Sequence, residues 1–138
     1  MNSSFFSYFN LPYVGNILCG FPSPSQDYMD KSFDLLKEII QHPAATFYGT
    51  AVGDSMIDAG IHKGDILIID KSLDPQHGDI VVARLNGHNV AKYLDLSKKH
   101  LGIVKLVSAN PRYETIVMHD GDELVILGVV SNIIKRLR

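Results

Sequence analysis

Two side chains, Ser55 and Lys92, carry the most chemistry in this sequence. Ser55 stands in Gly53-Asp54-Ser55-Met56, just ahead of Ile57-Asp58-Ala59-Gly60, a stretch able to form one helical turn closed by its glycine. Backbone N–H groups at a helix start point outward without partners, so those of Asp54 and Ser55 could hold an oxyanion while the serine attacks a carbonyl. Capping a short helix is the commoner use of such a serine. Lys92 shifts that balance. If 89–96 is a strand, its side chains alternate, and Lys92 shares a face with Val90, Leu94 and Leu96, leaving Asn89, Ala91, Tyr93 and Asp95 on the other. Taking an ammonium out of water is costly, and that cost lowers a lysine pKa from about 10.4 toward neutrality. The ordinary outcome is a packed stem whose head reaches water. A neutral amine beside a serine hydroxyl would instead form a Ser-Lys dyad, one of the ways to activate serine without histidine.

A rival assignment pairs Ser55 with Asp74-Pro75-Gln76-His77, the outline of an esterase-like Ser-His-Asp set. The interval from Ser55 to Asp74 is too short for the alternating helices and strands of that α/β fold, and the proline suits a turn. His77 therefore reads as a surface turn residue.

The elements that must position these side chains are mostly strands. Short β-branched runs fall at 46–52, 66–70, 79–85, 89–96, 103–107, 115–118 and 124–134, separated by turn residues. Asn86-Gly87 is a type I′ hairpin signal, and Asn110-Pro111 and Asp120-Gly121 mark further turns. Ahead of them, Phe33, Leu36 and Ile40 recur at helical spacing with Leu35 and Ile39 widening the stripe, which predicts a helix within 30–41 ended by Pro43. The fold is expected to be mainly β, a compact multi-stranded assembly with one or two short helices.

The N-terminal end differs in kind. Residues 1–19 hold no Asp, Glu, Lys, Arg or His, and they carry Phe5, Phe6, Tyr8, Phe9 and Tyr13, interrupted by Pro12 and Gly15. Such an arm either packs as a terminal segment or docks as a removable one. Cys19-Gly20-Phe21-Pro22-Ser23-Pro24-Ser25 follows, an extended linker in which the prolines restrict the residues before them and Gly20 leaves the backbone free. Extended chain with a small residue is also what a protease cleft accepts.

Composition bounds the rest. A chain of 138 residues can bury roughly two-thirds of its unfolded surface, enough for one real core. Net charge is -2 and the isoelectric point about 6.3, which disfavours direct, sequence-specific DNA binding. The single cysteine excludes an internal disulfide and a thiolate metal cage, and no two of the six histidines show a helical zinc spacing. No apolar run approaches the ~20 residues of a membrane span, and no secretory leader pattern opens the chain, so a cytoplasmic protein without membrane contact is expected.

Cys19-Gly20, Gly53-Asp54-Ser55-Met56-Ile57-Asp58 and Lys92, with Gln41-His42-Pro43 and His77-Gly78-Asp79-Ile80-Val81, together resemble the LexA/UmuD family of self-cleaving Ser-Lys peptidases, its UmuD-like members above all. The resemblance covers most of the chain. It implies that Cys19-Gly20 is the bond cut, Ser55 the nucleophile and Lys92 the general base, with no metal or organic cofactor. It divides the chain into a removable arm over 1–19, a linker and helix over 20–43, and a β-rich peptidase and partner-binding body over 44–138. It further implies a homodimer that cuts itself when stimulated by a RecA-nucleoprotein filament in the SOS response. The cut dimer then serves a UmuC-like Y-family translesion polymerase, an error-prone enzyme, as accessory subunit. Only 19 residues precede the bond, too few for a helix-turn-helix module, so a repressor is not expected. Tyr93 stands where relatives often carry a second basic residue. The alternative is a non-enzymatic β-rich binding subunit whose serine and lysine are structural.

Overall fold

A computed structural model describes residues 11–20 and 34–138, which fall in two compact units, 1–41 and 42–138. In the first unit, 11–20 form neither helix nor strand, and helix α1 spans Leu35–Ile39. The Asp34 carboxylate caps it by accepting from the Leu36 and Lys37 N–H groups, two of the donors that a helix start leaves unpaired. Leu11, Pro12 and Tyr13 line a cavity together with Leu35 and Glu38 of this helix. Helix α1 falls within the predicted 30–41, and Ile40 after it is already extended. Pro43 does not end it. It opens a 3-10 turn, Pro43–Ala45, in the first position, where its missing N–H has no partner to lose. Residues 30–33, Phe5, Phe6, Tyr8, Phe9 and the linker from Phe21 to Ser25 lie outside the described residues.

The second unit is one antiparallel sheet of seven strands: β1 Thr46–Thr50, β2 Ile66–Asp70, β3 Ile80–Leu85, β4 His88–Asp95, β5 Ile103–Val107, β6 Ile116–His119 and β7 Val125–Ile134. Their order is β1-β2-β7-β3-β4-β5-β6, which confirms the mainly β expectation. Strand ends moved from the predicted ones by two residues or fewer. Asn86 and Gly87 both take positive φ, 50° and 79°, the requirement of a type I′ turn, and set the β3–β4 register at Leu85↔His88.

Apolar residues of the sheet are buried in two clusters. Leu67, Ile68 and Ile69 of β2 are buried consecutively, the mark of a strand with no solvent face. Alternation along β3 sends Val82 to a cluster with Met56, Ile61, Leu67 and Ile69, and sends Val81 and Ala83 to a second with Leu94, Leu106 and Val129. Two side-chain contacts tie the ends of β2. Lys135, just past β7, bonds Asp65, and His42 Nδ1 lies 2.6 Å from Asp70 Oδ2. No described helix is long and apolar enough to cross a membrane.

Candidate active site

Ser55 sits in a loop held at both ends by glycine geometry. Gly53, at φ 82°, turns the chain after β1, and Gly60, at φ 83°, caps the 3-10 turn Ile57–Ala59. Side chains are strained at such φ values, so the two glycines define the loop's span. The residue capping that turn is Met56, and no side chain bonds its N-terminus; Ser55 is therefore not a helix cap. The run after β5 anchors the loop: Asp58 N–H donates to the Ala109 carbonyl at 2.8 Å, Asn110 Nδ2 to the Asp54 carbonyl at 2.9 Å, and Ala109 N–H to Met56 Sδ at 3.3 Å. Met56 is 3% exposed and rooted in the core. Among the described residues, the N–H groups of Asp54, Ser55 and Met56 donate to no acceptor, the state that an oxyanion site requires.

Lys92 lies on β4 opposite Val81, a fully buried residue, and is itself 7% exposed. The row beside it, Val90, Leu94 and Leu96, packs with the Val81 cluster. Burial pushes the Lys92 pKa below that of a free lysine, because the charged form loses its hydration. Its Nζ donates to Ser108 Oγ at 2.8 Å and lies 5.4 Å from the centre of the Tyr113 ring, within cation–π range. The Tyr113 hydroxyl in turn donates to Asp54 Oδ1 at 2.5 Å, a bond that raises the Tyr113 pKa. Ser55 and Lys92 line one cleft of about 620 Å³, with Tyr48, Val52, Met56 and His88 among its walls. The hydrogen bond that Lys92 makes there is to Ser108 and not to Ser55.

Cys19 and Gly20 belong to the first unit and are exposed; the Cys19 thiol lies 3.7 Å from the Ile17 carbonyl, and a Cβ on Gly20 would meet no atom within 4 Å. His77 does not line the cleft. Its Nδ1 accepts from the Leu96 N–H at 3.0 Å and stands 3.6 Å from Asp95 Oδ1, so the Ser-His-Asp set is not assembled. Among the described residues no three His, Cys, Asp or Glu side chains converge to hold a metal ion. Sequence reasoning missed Ser108 and Tyr113. Ser108 comes beside Lys92 through the β4–β5 register, in which Tyr93 opposes Val107, and that register is visible only in the folded sheet.

The Peptidase S24-like family model matches residues 12–131. Protein SamA of Salmonella typhimurium is 41% identical over 119 residues, 86% of this chain and 80% of that protein. Protein ImpA of Escherichia coli is 38% identical over 132 residues, 96% and 88% of the two chains. The LexA repressor of Carboxydothermus hydrogenoformans is 32% identical over 128 residues, which are 92% of this chain but 60% of the repressor. A match of that extent, on a sheet that brings a serine and a desolvated lysine to one cleft, places the chain in the Peptidase S24-like family of Ser-Lys self-cleaving peptidases.

Proposed function

We propose that Ser55 and Lys92 cut the chain's own Cys19–Gly20 bond. The neutral Lys92 amine takes the Ser55 hydroxyl proton, and Oγ attacks the Cys19 carbonyl carbon. The N–H groups at Asp54 and Ser55 receive the negative charge that develops on the carbonyl oxygen. Collapse breaks the C–N bond, and the Lys92 ammonium returns its proton to the departing Gly20 amine. Water, deprotonated by the same amine, then releases residues 1–19 from the Ser55 ester. Cys19 supplies the carbonyl only. The observation that carries this reading is a lysine 7% exposed, its pKa lowered by burial, in the cleft that Ser55 lines.

The likeness to LexA/UmuD proteins extends the proposal. In the cytoplasm, a RecA-nucleoprotein filament stimulates the cut by favouring the arrangement in which the arm occupies the cleft, a population shift that needs no catalytic group from the filament. The product, a homodimer, then serves a UmuC-like translesion polymerase in SOS mutagenesis. The test is cleavage with and without filament in single variants. Ser55→Ala and Lys92→Ala are expected to stay whole, and His77→Ala to be cut at the parent rate. A cut Ser55→Ala chain, or an inert but folded His77→Ala chain, would overturn the assignment.

A further inference from the structure

We propose that Ser108 is a positioning residue for the Lys92 amine, its Oγ accepting one N–H so that the nitrogen lone pair is aimed at Ser55. This rests on the reading of Ser55 and Lys92 as the dyad. A neutral amine has one lone pair and free rotation about its last bond, so burial alone makes it a base without making it point anywhere. The 2.8 Å contact to Ser108 supplies the direction.

Ser108 is suited to this because of what adjoins it. The β4–β5 ladder begins at Tyr93↔Val107, which fixes Ser108 across from Lys92. The next two residues, Ala109 and Asn110, hold the Ser55 loop through Asp58, Met56 and Asp54. One three-residue run thus grips the base with its first member and the nucleophile's loop with the other two. It sets the spacing between them. The same acceptor also serves after proton transfer, when Lys92 is an ammonium with three N–H groups and one of them already has its oxygen. Ser108 itself gains and loses no proton.

Two consequences separate this role from a structural one. Removing the hydroxyl leaves the amine free to rotate, so the plateau rate at high pH falls. It also removes an acceptor that favours the charged form, so the pKa that controls the rate moves down. The titratable groups facing Lys92 are Tyr113 and, through it, Asp54; His88 stands on the rim of the same cleft. None of them is altered by a change at Ser108.

The experiment is the pH profile of self-cleavage by the full chain for the parent, Ser108→Ala, Ser108→Thr, Ser55→Ala and Lys92→Ala, with circular dichroism as a check on folding. Ser108→Ala is expected to reach a plateau about tenfold lower, the value of one ordinary hydrogen bond, with its midpoint at lower pH. Ser108→Thr keeps the oxygen and is expected to restore both. A folded Ser108→Ala with the parent's plateau and midpoint, while Ser55→Ala and Lys92→Ala are dead, would overturn the positioning role alone. So would a slower Ser108→Ala whose midpoint is unmoved. Cleavage by the Ser55→Ala or Lys92→Ala chain would overturn the dyad and this inference with it.

Discussion

Lys92 shows how far a single residue can be read from sequence. Strand alternation put it in line with Val90, Leu94 and Leu96, and the structure finds it 7% exposed on that face. Its partners were not legible, because Ser108 reaches it through a strand register and Tyr113 through a loop, and neither leaves a periodic trace. Two predictions belong here. Below the effective Lys92 pKa, spontaneous cleavage should rise roughly tenfold per pH unit, since only the deprotonated amine accepts the serine proton; the downward pKa shift raises the neutral fraction at any given pH. A flat profile between about pH 7 and 10 in a folded chain would contradict it. Lys92→Met should abolish cleavage and leave thermal stability equal or higher at neutral pH. The sign follows from proton linkage: with the folded pKa depressed, the unfolded chain binds more protons between the two pKa values, so the penalty on folding is full below the folded pKa, fades as pH rises toward the unfolded lysine pKa of about 10.4 and is gone above it. A melting temperature well below the parent's at pH 7 would show that Lys92 stabilises the fold.

At the scale of elements, strands were easier to place than helices. The β-branched runs of β2 and β5 matched their predicted bounds, because apolar residues flanked by turn signals have few other places to go. What ends α1 was not legible for a local reason: the apolar stripe continues through Ile40, but the backbone there is already extended, ahead of the 3-10 turn that Pro43 starts. The β7 irregularity was equally hidden. Gly128 pairs with Val82 beside a register shift, and a Cβ there would lie 2.7 Å from Ile69 Cγ2 and 3.2 Å from the Asp70 carbonyl. The Ile69 side chain is core-bound and cannot swing clear. Gly128→Ala should therefore cost about 1–3 kcal/mol in denaturant unfolding. Gly49→Ala, on β1 with nothing within 4 Å, should change stability by less than about 0.5 kcal/mol. Equal effects at the two sites would contradict the close-approach explanation.

For the whole molecule, two of the carboxylates with lowered pKa values tie β2 at its ends, and acid sensitivity is expected from them. The hydrogen bond from Lys135, then that from the His62 N–H, hold the Asp65 pKa below the usual value. Burial works against the Asp70 carboxylate, but hydrogen bonds from Ser72 and His42 outweigh it and leave its pKa lowered too. Groups with depressed pKa values stabilise fully above the unfolded carboxylate pKa of about 3.9, and that stability is lost as pH falls through the folded values. Asp65→Asn should lower stability at neutral pH and weaken its dependence on pH on the acid side, as read from melting curves; an unchanged acid slope would put the sensitivity elsewhere. The proposed function turns on one bond, and intact-mass measurement of the purified protein after incubation at mildly alkaline pH tests it most directly. The expected result is a single new fragment running from Gly20 to Arg138, absent from the Ser55→Ala chain under the same conditions. A parent chain that stays whole even with a RecA filament, or is cut at any other bond, would contradict self-cleavage at Cys19–Gly20.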